Sequence, residues 1–251
     1  MVRLSLLLVI LTACASAEPD AVAEGAAPTT TAAAPTTTTT PPDTTTSEVT
    51  TTMAPTTTTT EPPEPVFAAT VRDTTEAELG VSWRPGCPVA VEDLRWVELA
   101  HWDMNERVRD GVLVVHADHV DAVLTVFEQL FDARFPIERM EPITAFDADD
   151  DASMRANNSS AFNCRVISGT SRWSQHAYGG AIDINPLLNP WVRGDVVDPP
   201  EGAAYLDRDA DVPGLIRADD VVTRAFADVG WGWGGDWSSS LDYQHFSHNG
   251  R

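Results

Sequence analysis

A run of threonine and proline is the strongest constraint on how this 251-residue chain can fold. Within residues 28–65, 19 of 38 residues are threonine and 8 are proline. No hydrophobic periodicity survives there, and such a composition cannot bury enough apolar surface to offset the entropy of ordering. We therefore expect residues 14–65 to form a disordered tether, in which residues 28–65 alone reach on the order of 100 Å at about 3.1 Å per residue. Residues 66–251 have the length of one folded domain.

The first 13 residues have the pattern of a signal peptide. Arg3 precedes an apolar run that is too short to span a bilayer as a mature helix. The run closes on Leu11-Thr12-Ala13-Cys14, which resembles a bacterial lipobox, where cleavage before the cysteine leaves a thiol that carries diacylglycerol. The alternative is an ordinary signal peptide that happens to contain a cysteine. Both readings predict export, and the lipobox predicts an extracytoplasmic protein anchored to a bacterial membrane through Cys14.

The charge of the expected domain limits its partners. It contains 31 Asp and Glu against 15 Arg, and the chain has no Lys. Such an acidic domain repels phosphate backbones and anionic lipid headgroups, which argues against nucleic acid or a lipid surface as its partner. Most of these charges are expected to form an ordinary solvated surface.

Two cysteines remain after Cys14, namely Cys87 and Cys164. In an oxidising compartment an even pair within one domain is most simply a disulfide. A cysteine-based metal site is the weaker alternative, because neither residue has a second cysteine or a histidine at short ligand spacing.

Hydrophobic patterning indicates a mixture of strands and helices. Strands are predicted at residues 94–102 and 112–116, joined as a hairpin, and a buried strand at residues 181–184. Apolar residues at helical spacing predict helices over residues 118–134 and 218–231. Irregular chain is expected at residues 66–86 and 189–212. Because strands and helices do not alternate strictly, the pattern favours an α+β fold with a small, mainly antiparallel sheet.

The stretch "WSQHAYGGAIDINP", residues 173–186, carries the clearest chemical signal. His176 and Asp183 are seven residues apart, and Gly179-Gly180 lets the backbone reverse between them. In a strand, Asp183 projects away from Ile182 and its apolar neighbours, towards the face that a histidine can share. A carboxylate in a buried strand needs a compensating partner, and a metal ion is one such partner.

A third ligand is expected from elsewhere, since catalytic zinc typically has three protein ligands and one open position. The late segment "LDYQHF" supplies His245, with Asp242 three residues earlier.

These two motifs resemble those of the zinc D-alanyl-D-alanine carboxypeptidase family. Ser174, His176, Gly179, Ala181 and Asp183 match the pattern S-x-H-x-x-G-x-A-x-D. An acidic residue three positions before a late histidine is its second signature. The family includes vancomycin-resistance enzymes and L-alanyl-D-glutamate endopeptidases, and the resemblance implies the α+β fold shared with the signalling domain of hedgehog proteins.

The resemblance implies a role for each matching residue. His176, Asp183 and His245 would bind one zinc ion, Asp242 would act as general base towards the attacking water, and Ser174 would hydrogen-bond near the metal or substrate. The peptidoglycan stem peptide would be the substrate. We expect D-alanyl-D-alanine carboxypeptidase activity, with an L-alanyl-D-glutamate-type endopeptidase or a non-catalytic wall-binding lipoprotein as alternatives.

The chain departs from the family pattern in two places. Its base is an aspartate, as in the endopeptidase branch, whereas the carboxypeptidases usually have glutamate. The segment "ITAFDADDD" also lacks the substrate-gripping arginine of a Y-R-S turn. Arg165 is the preferred substitute because a disulfide at Cys164 would fix its position, and Arg155 is the other candidate.

The remaining histidines and the tryptophans are given weaker interpretations. No role is assigned to His101, His116 or His119, and His248 is read as polar tail rather than as a stray ligand. Four tryptophans could line a substrate groove or fill the core: Trp173, Trp231, Trp233 and Trp237.

Overall fold

The computed structural model of the chain describes residues 63–251. The predicted signal peptide, Cys14 and almost all of the predicted tether lie outside these residues. Within the described part, no helix is both long enough and apolar enough to cross a membrane.

The largest sheet has three antiparallel strands: β1 (Ala69–Asp73), β2 (Leu94–Trp102) and β3 (Val108–His116), in that order. The predicted bounds of β2 are confirmed, and β3 begins four residues earlier than predicted because its pairing with β2 runs back to Val108. Strand β1 and the one-turn helix α1 (Glu76–Leu79) correct the expected irregular lead-in. All five side chains of β1 are exposed, so its sequence shows no alternation.

Helix α2 (Val120–Asp132) covers this sheet, and a second helix packs against α2 to complete the main core. Helix α2 is preceded by a turn of 3-10 helix, and the second helix is α4 (Val221–Asp228). Helix α4 is shorter than predicted at its start, because the Asp220 side chain accepts hydrogen bonds from the amides of Val222 and Thr223, both at 2.9 Å. A third helix, α3 (Asp150–Arg155), lies outside this pair.

The remaining strands are short. Six of them form two three-stranded sheets, and two form a parallel pair. One sheet consists of β6 (Ala181–Asp183), β11 (His245–Ser247) and β9 (Gly232–Trp233). The other consists of β10 (Leu241–Asp242), β7 (Trp191–Arg193) and β8 (Val196–Asp198). The parallel pair is β4 (Arg139–Met140) with β5 (Asn158–Ser159). The hairpin β7–β8 corrects the expected loop at residues 189–212: strands of three residues are too short for their alternation to be seen. The fold is α+β with small, mainly antiparallel sheets, as predicted.

The predicted disulfide between Cys87 and Cys164 is present. Cys164 is buried in a second, smaller core with Leu79, Leu94 and Phe162. Its carbonyl accepts a hydrogen bond from Arg84 at 2.8 Å. The disulfide therefore connects the start of the domain to the segment that continues into Arg165.

Candidate metal centre

The conformation around His176 follows from its neighbours in sequence. His176 lies in a turn of 3-10 helix, Gln175–Tyr178, whose first amides are capped by Ser174: the Ser174 hydroxyl accepts from the His176 amide at 3.3 Å. Gly179 ends the turn in the left-handed region at φ 66°. A Cβ on Gly179 would lie 2.6 Å from the His116 backbone nitrogen, so this position requires glycine for both its conformation and its close approach.

Strand pairing brings the other two ligands together. In the antiparallel pair β6–β11, Asp183 lies directly opposite His245, and Ile182 lies opposite Phe246. Ile182 and Phe246 are fully buried in the main core. Because alternate side chains of a strand face opposite ways, the same register places Asp183 and His245 on the other face. The prediction that Asp183 projects away from the isoleucines is confirmed.

His176, Asp183 and His245 converge on one point. His176 Nε2 lies 3.1 Å from Asp183 Oδ2, and His245 Nδ1 lies 3.1 Å from Asp183 Oδ1. The two ring nitrogens are 3.2 Å apart. All three side chains are buried, and the three ligand atoms lie within 4.8 Å of one another.

The outer hydrogen bonds of both imidazoles fit a metal ion. His176 Nδ1 lies 2.5 Å from the Ala161 carbonyl oxygen, and His245 Nε2 lies 3.2 Å from the main-chain oxygen of Arg251. A carbonyl oxygen only accepts, so in the neutral rings these nitrogens carry the protons. The other two ring nitrogens, His176 Nε2 and His245 Nδ1, then direct lone pairs at each other and at the Asp183 carboxylate. A divalent cation between the three groups would satisfy all of these lone pairs, and two imidazoles with one carboxylate suit zinc.

The electrostatics of the ligands agree with this geometry. Burial alone would raise the pKa of Asp183, but the charge of His176 and hydrogen bonds from both histidines outweigh it and hold that pKa well below its usual range. Burial works in the opposite direction on His176, where the Asp183 carboxylate nevertheless raises the pKa. Asp183 therefore stays ionised, as a metal ligand must.

Asp242 lies beside this centre on strand β10. It is half-buried, and its Oδ1 is fully buried without a hydrogen-bond partner among residues 63–251. Burial raises the pKa of its carboxyl to about 7; the charge of His245 opposes the rise and that of Asp183 adds to it. Gly234 permits the close packing, since a Cβ there would lie 2.7 Å from the Asp242 Cβ. A carboxyl group with a pKa near 7 suits a general base that works at neutral pH.

Ser174 and Arg165 have partners within the protein. Ser174 is buried, and its hydroxyl caps the turn that carries His176. Arg165 Nη2 forms a salt bridge of 2.6 Å with Asp150 Oδ2, and its Nε is buried without a partner in the described part of the chain. Burial and the neighbouring candidate ligands affect the pKa values of His176 and Asp242 most, and the positive charge of Arg165 then lowers both. Its charge is thus close to the centre.

Arg155 lies at the exposed end of α3 and has no salt bridge to any residue in the described range. Trp231 and Trp233 belong to the main core, whereas the Trp237 ring lies 5.3 Å from the His245 ring. Trp173 packs against the second core.

Sequence reasoning did not identify the residues whose hydrogen bonds position the candidate ligands. Ser160 pairs with Asp183 through two backbone hydrogen bonds of 2.9 and 3.0 Å, and the next residue, Ala161, receives the His176 ring. Residues 157–163 are all buried although they look polar. Only the density of Asn and Ser, which can satisfy buried backbone groups, could have signalled this.

Comparison with known proteins agrees with the motifs. Residues 168–248 match the model of the family described as D-alanyl-D-alanine carboxypeptidase. The similarity covers less than half of the chain. The matched range contains Ser174, His176, Asp183, Asp242 and His245, while Arg165 lies just before it. No curated protein and no solved structure matches the chain. The match supports a peptidase, and the His-Asp-His group is one that can bind a metal.

Proposed function

We propose that this protein is a zinc-dependent peptidase that hydrolyses peptidoglycan stem peptides, with D-alanyl-D-alanine carboxypeptidase as its reaction. One observation carries the proposal: three buried ligands converge within 4.8 Å, next to a half-buried carboxyl whose pKa is raised to about 7. A purely structural metal site has no need of a base beside it. The family match over residues 168–248 supports the same class of chemistry.

Each residue has a distinct role in this proposal. His176, Asp183 and His245 would hold one zinc ion, which when bound acts as a Lewis acid and lowers the pKa of water to about 7. Asp242 would accept the proton of the attacking water and pass it to the amide nitrogen as the peptide bond breaks. Ser174 would keep the His176 turn in place through its cap. The Ala161 carbonyl would fix the tautomer of His176.

Arg165 would bind the terminal carboxylate of a D-Ala-D-Ala substrate. A guanidinium can contact a carboxylate with two parallel hydrogen bonds, and Arg165 Nε has no partner in the described structure. Its Nη2, however, is paired with Asp150 at 2.6 Å. A substrate carboxylate would therefore share Arg165 with Asp150, which lowers the gain from binding a free chain end. The preference for Arg165 over Arg155 stays a prediction.

The pairing with Asp150 specifically favours a second candidate, an L-alanyl-D-glutamate-type endopeptidase. Such an enzyme cuts within the stem and does not depend on a free terminal carboxylate. The aspartate at position 242, in place of glutamate, points the same way. Both candidates use the same metal centre and differ only in how the substrate is positioned.

Purified muropeptides with a pentapeptide stem, analysed by mass spectrometry, separate the two reactions. Loss of one alanine from the stem indicates the carboxypeptidase, and two fragments from cleavage within the stem indicate the endopeptidase. The zinc-loaded full chain should yield one of these products. If neither forms, the enzyme proposal fails and the non-catalytic wall-binding protein is favoured.

Replacing Asp242 by Ala tests the role of the base in the same assay. Turnover should fall by at least about 100-fold, the usual contribution of a positioned base. The zinc content should stay unchanged, because Asp242 is not among the ligands. Unchanged turnover would remove Asp242 from the proposed mechanism.

We propose that the enzyme acts outside the cytoplasm, held to the membrane by a lipid on Cys14 and reaching the wall through residues 14–65. The lipobox and the composition of the tether support this placement. In a bacterial host, the processed wild-type chain should begin at Cys14 and carry the mass of a diacylglycerol there, whereas Cys14→Ala should carry none. A processed wild-type chain without this lipid would rule out the anchor.

A further inference from the structure

A second group of imidazoles lies away from the metal centre. His116, His119 and His248 line a cavity of about 480 Å³, together with the carboxylates of Asp93 and Asp118. None of these side chains has a part in the proposed peptidase mechanism. The cavity is separated from the centre by the turn Gln175–Tyr178, which contributes to both.

The rings are close enough to share a ligand. The ring centroids of His119 and His248 are 4.6 Å apart, and those of His116 and His119 are 5.7 Å apart. These separations bracket the 5.1 Å between His176 and His245, but the planes of His119 and His248 are only 30° apart, so one ring has to turn before both can face one ion. His119 is held edge-on against Trp231, with the ring centroids 5.5 Å apart. Its ring is therefore fixed by packing.

Ring nitrogens of His119 and His248 are available for coordination, whereas His116 Nδ1 accepts a hydrogen bond from the Asp118 amide at 3.1 Å and has to give it up to bind an ion. Within residues 63–251, neither ring nitrogen of His119 has a hydrogen-bond partner, although the ring is half-buried. His248 Nδ1 lies 3.2 Å from the Gly180 carbonyl oxygen, so in the neutral ring Nε2 carries the free lone pair. Gly180 permits this approach, because a Cβ there would lie 2.5 Å from His248 Nδ1.

The charge state of His119 suits a metal ligand. Burial lowers its pKa, and the charges of His248 and His116 lower it further. The ring is therefore neutral at pH 7, which is the form that binds metal. Imidazole is a preferred ligand of zinc, copper and nickel, and carboxylates of the kind that line this cavity can complete such a site.

The cluster is open rather than already closed around an ion. In the described part of the chain, only His176, Asp183 and His245 bring three ligand atoms within 4.8 Å. A third ligand for the second cluster has to come from His116 or Asp118. The Asp118 side chain is 82% exposed, so it can rotate at little steric cost.

We propose that His119 and His248, completed by His116 or Asp118, form a second binding site for a divalent transition-metal ion, distinct from the peptidase centre. The site would be weaker than the peptidase centre, because two of its ligands must rearrange. It does not depend on the peptidase proposal, since none of its ligands belongs to that centre.

Zinc stoichiometry of the full chain tests this site. Metal-free protein is titrated with zinc and analysed by native mass spectrometry and by elemental analysis after removal of free metal. We expect two zinc ions per wild-type chain and one in His119→Phe, which keeps an aromatic ring against Trp231 but has no ligand nitrogen. His119→Gln is a second variant in case the first does not fold. Asn249→Ala, which changes the same cavity without removing an imidazole, should retain two.

The reciprocal variant distinguishes this proposal from the peptidase centre. His245→Ala should also bind one zinc ion, the weaker one, and His119→Phe with His245→Ala should bind none. A single zinc ion in the saturated wild-type chain overturns the second site. So does a folded His119 variant that still binds two.

Discussion

Among the individual residues, Asp242 combines a proposed catalytic role with a local cost in stability. Its carboxyl is half-buried beside Asp183, and its Oδ1 has no hydrogen-bond partner among the described residues. Ionisation in such a place is unfavourable without a nearby cation. The environment is understandable if the residue has to accept a proton near neutral pH.

Asp242→Asn should therefore stabilise the metal-free protein at high pH. The carboxyl has a pKa of about 7 in the folded chain against its ordinary value of 3.8, so between these pH values the folded chain binds one more proton than the unfolded chain. The contribution of the Asp242 carboxyl to the free energy of unfolding is fully present below about pH 4 and is lost as the pH rises through about 7. Asparagine cannot ionise, and because Asp242 is partly exposed we expect a gain of about 1–2 kcal/mol at pH 8.

Urea unfolding of the chelator-treated chain measures this difference. The gain should disappear at pH 4, where Asp242 is protonated in the folded chain, and the exposed control Asp211→Asn should change nothing at either pH. A variant less stable than wild type at pH 8 would contradict the assigned burial of the Asp242 charge.

Gly179→Ala should destabilise the turn that carries His176. The position combines a φ of 66° with a Cβ that would lie 2.6 Å from the His116 backbone nitrogen. We expect a loss of about 2 kcal/mol or more in the free energy of unfolding, from left-handed strain plus the clash. Gly169→Ala is the matched control: its φ is 72° but its Cβ would meet nothing within 4 Å, so only about 1 kcal/mol should be lost. Equal losses in denaturant unfolding would rule out the close approach.

The ligands could be predicted from sequence because a motif names side chains. His176, Asp183 and His245 converge as the family resemblance implied, and the fold adds the reason, which is the register of β6 and β11. The groups that hydrogen-bond to these side chains and fix their orientation could not be predicted. The Ala161 carbonyl is a backbone atom, and any residue at that position could supply it.

Among the secondary-structure elements, predictability followed length. Strand β2 has nine residues that alternate well enough for its bounds to be found, whereas β7 and β8 have three each. Strand β1 was missed for another reason: it is an edge strand with every side chain exposed, so backbone pairing alone determines it. Tertiary pairing of this kind leaves no local pattern in the sequence.

The disulfide should contribute strongly to stability because it closes a long loop between distant elements. Cys87 and Cys164 are 77 residues apart, and loss of such a cross-link removes about 4 kcal/mol in the chain-entropy description. Reductant should therefore lower the free energy of unfolding of the wild-type chain by about 2–4 kcal/mol. The double variant Cys87→Ser/Cys164→Ser should start at the lower value and not respond to reductant; a response would point to an effect elsewhere.

At the scale of the whole molecule, the metal centre joins parts of the chain that are far apart in sequence. His176 comes from a capped turn, Asp183 from β6 and His245 from β11, 62 residues after Asp183. None of these elements is stable alone, so the ligands meet only when the domain is folded. The α+β class was predictable from the mixture of patterns, but this convergence required the family resemblance.

The most direct test is the affinity of the most tightly bound zinc ion, measured by competition with a chelating dye, in the wild-type chain and in Asp183→Asn. Loss of this carboxylate should weaken the affinity by at least about 100-fold, more than loss of an outer-shell partner. The exposed control Asp121→Asn should bind as wild type does. Equal affinities for wild type and Asp183→Asn would contradict the assignment of His176, Asp183 and His245 as the metal centre.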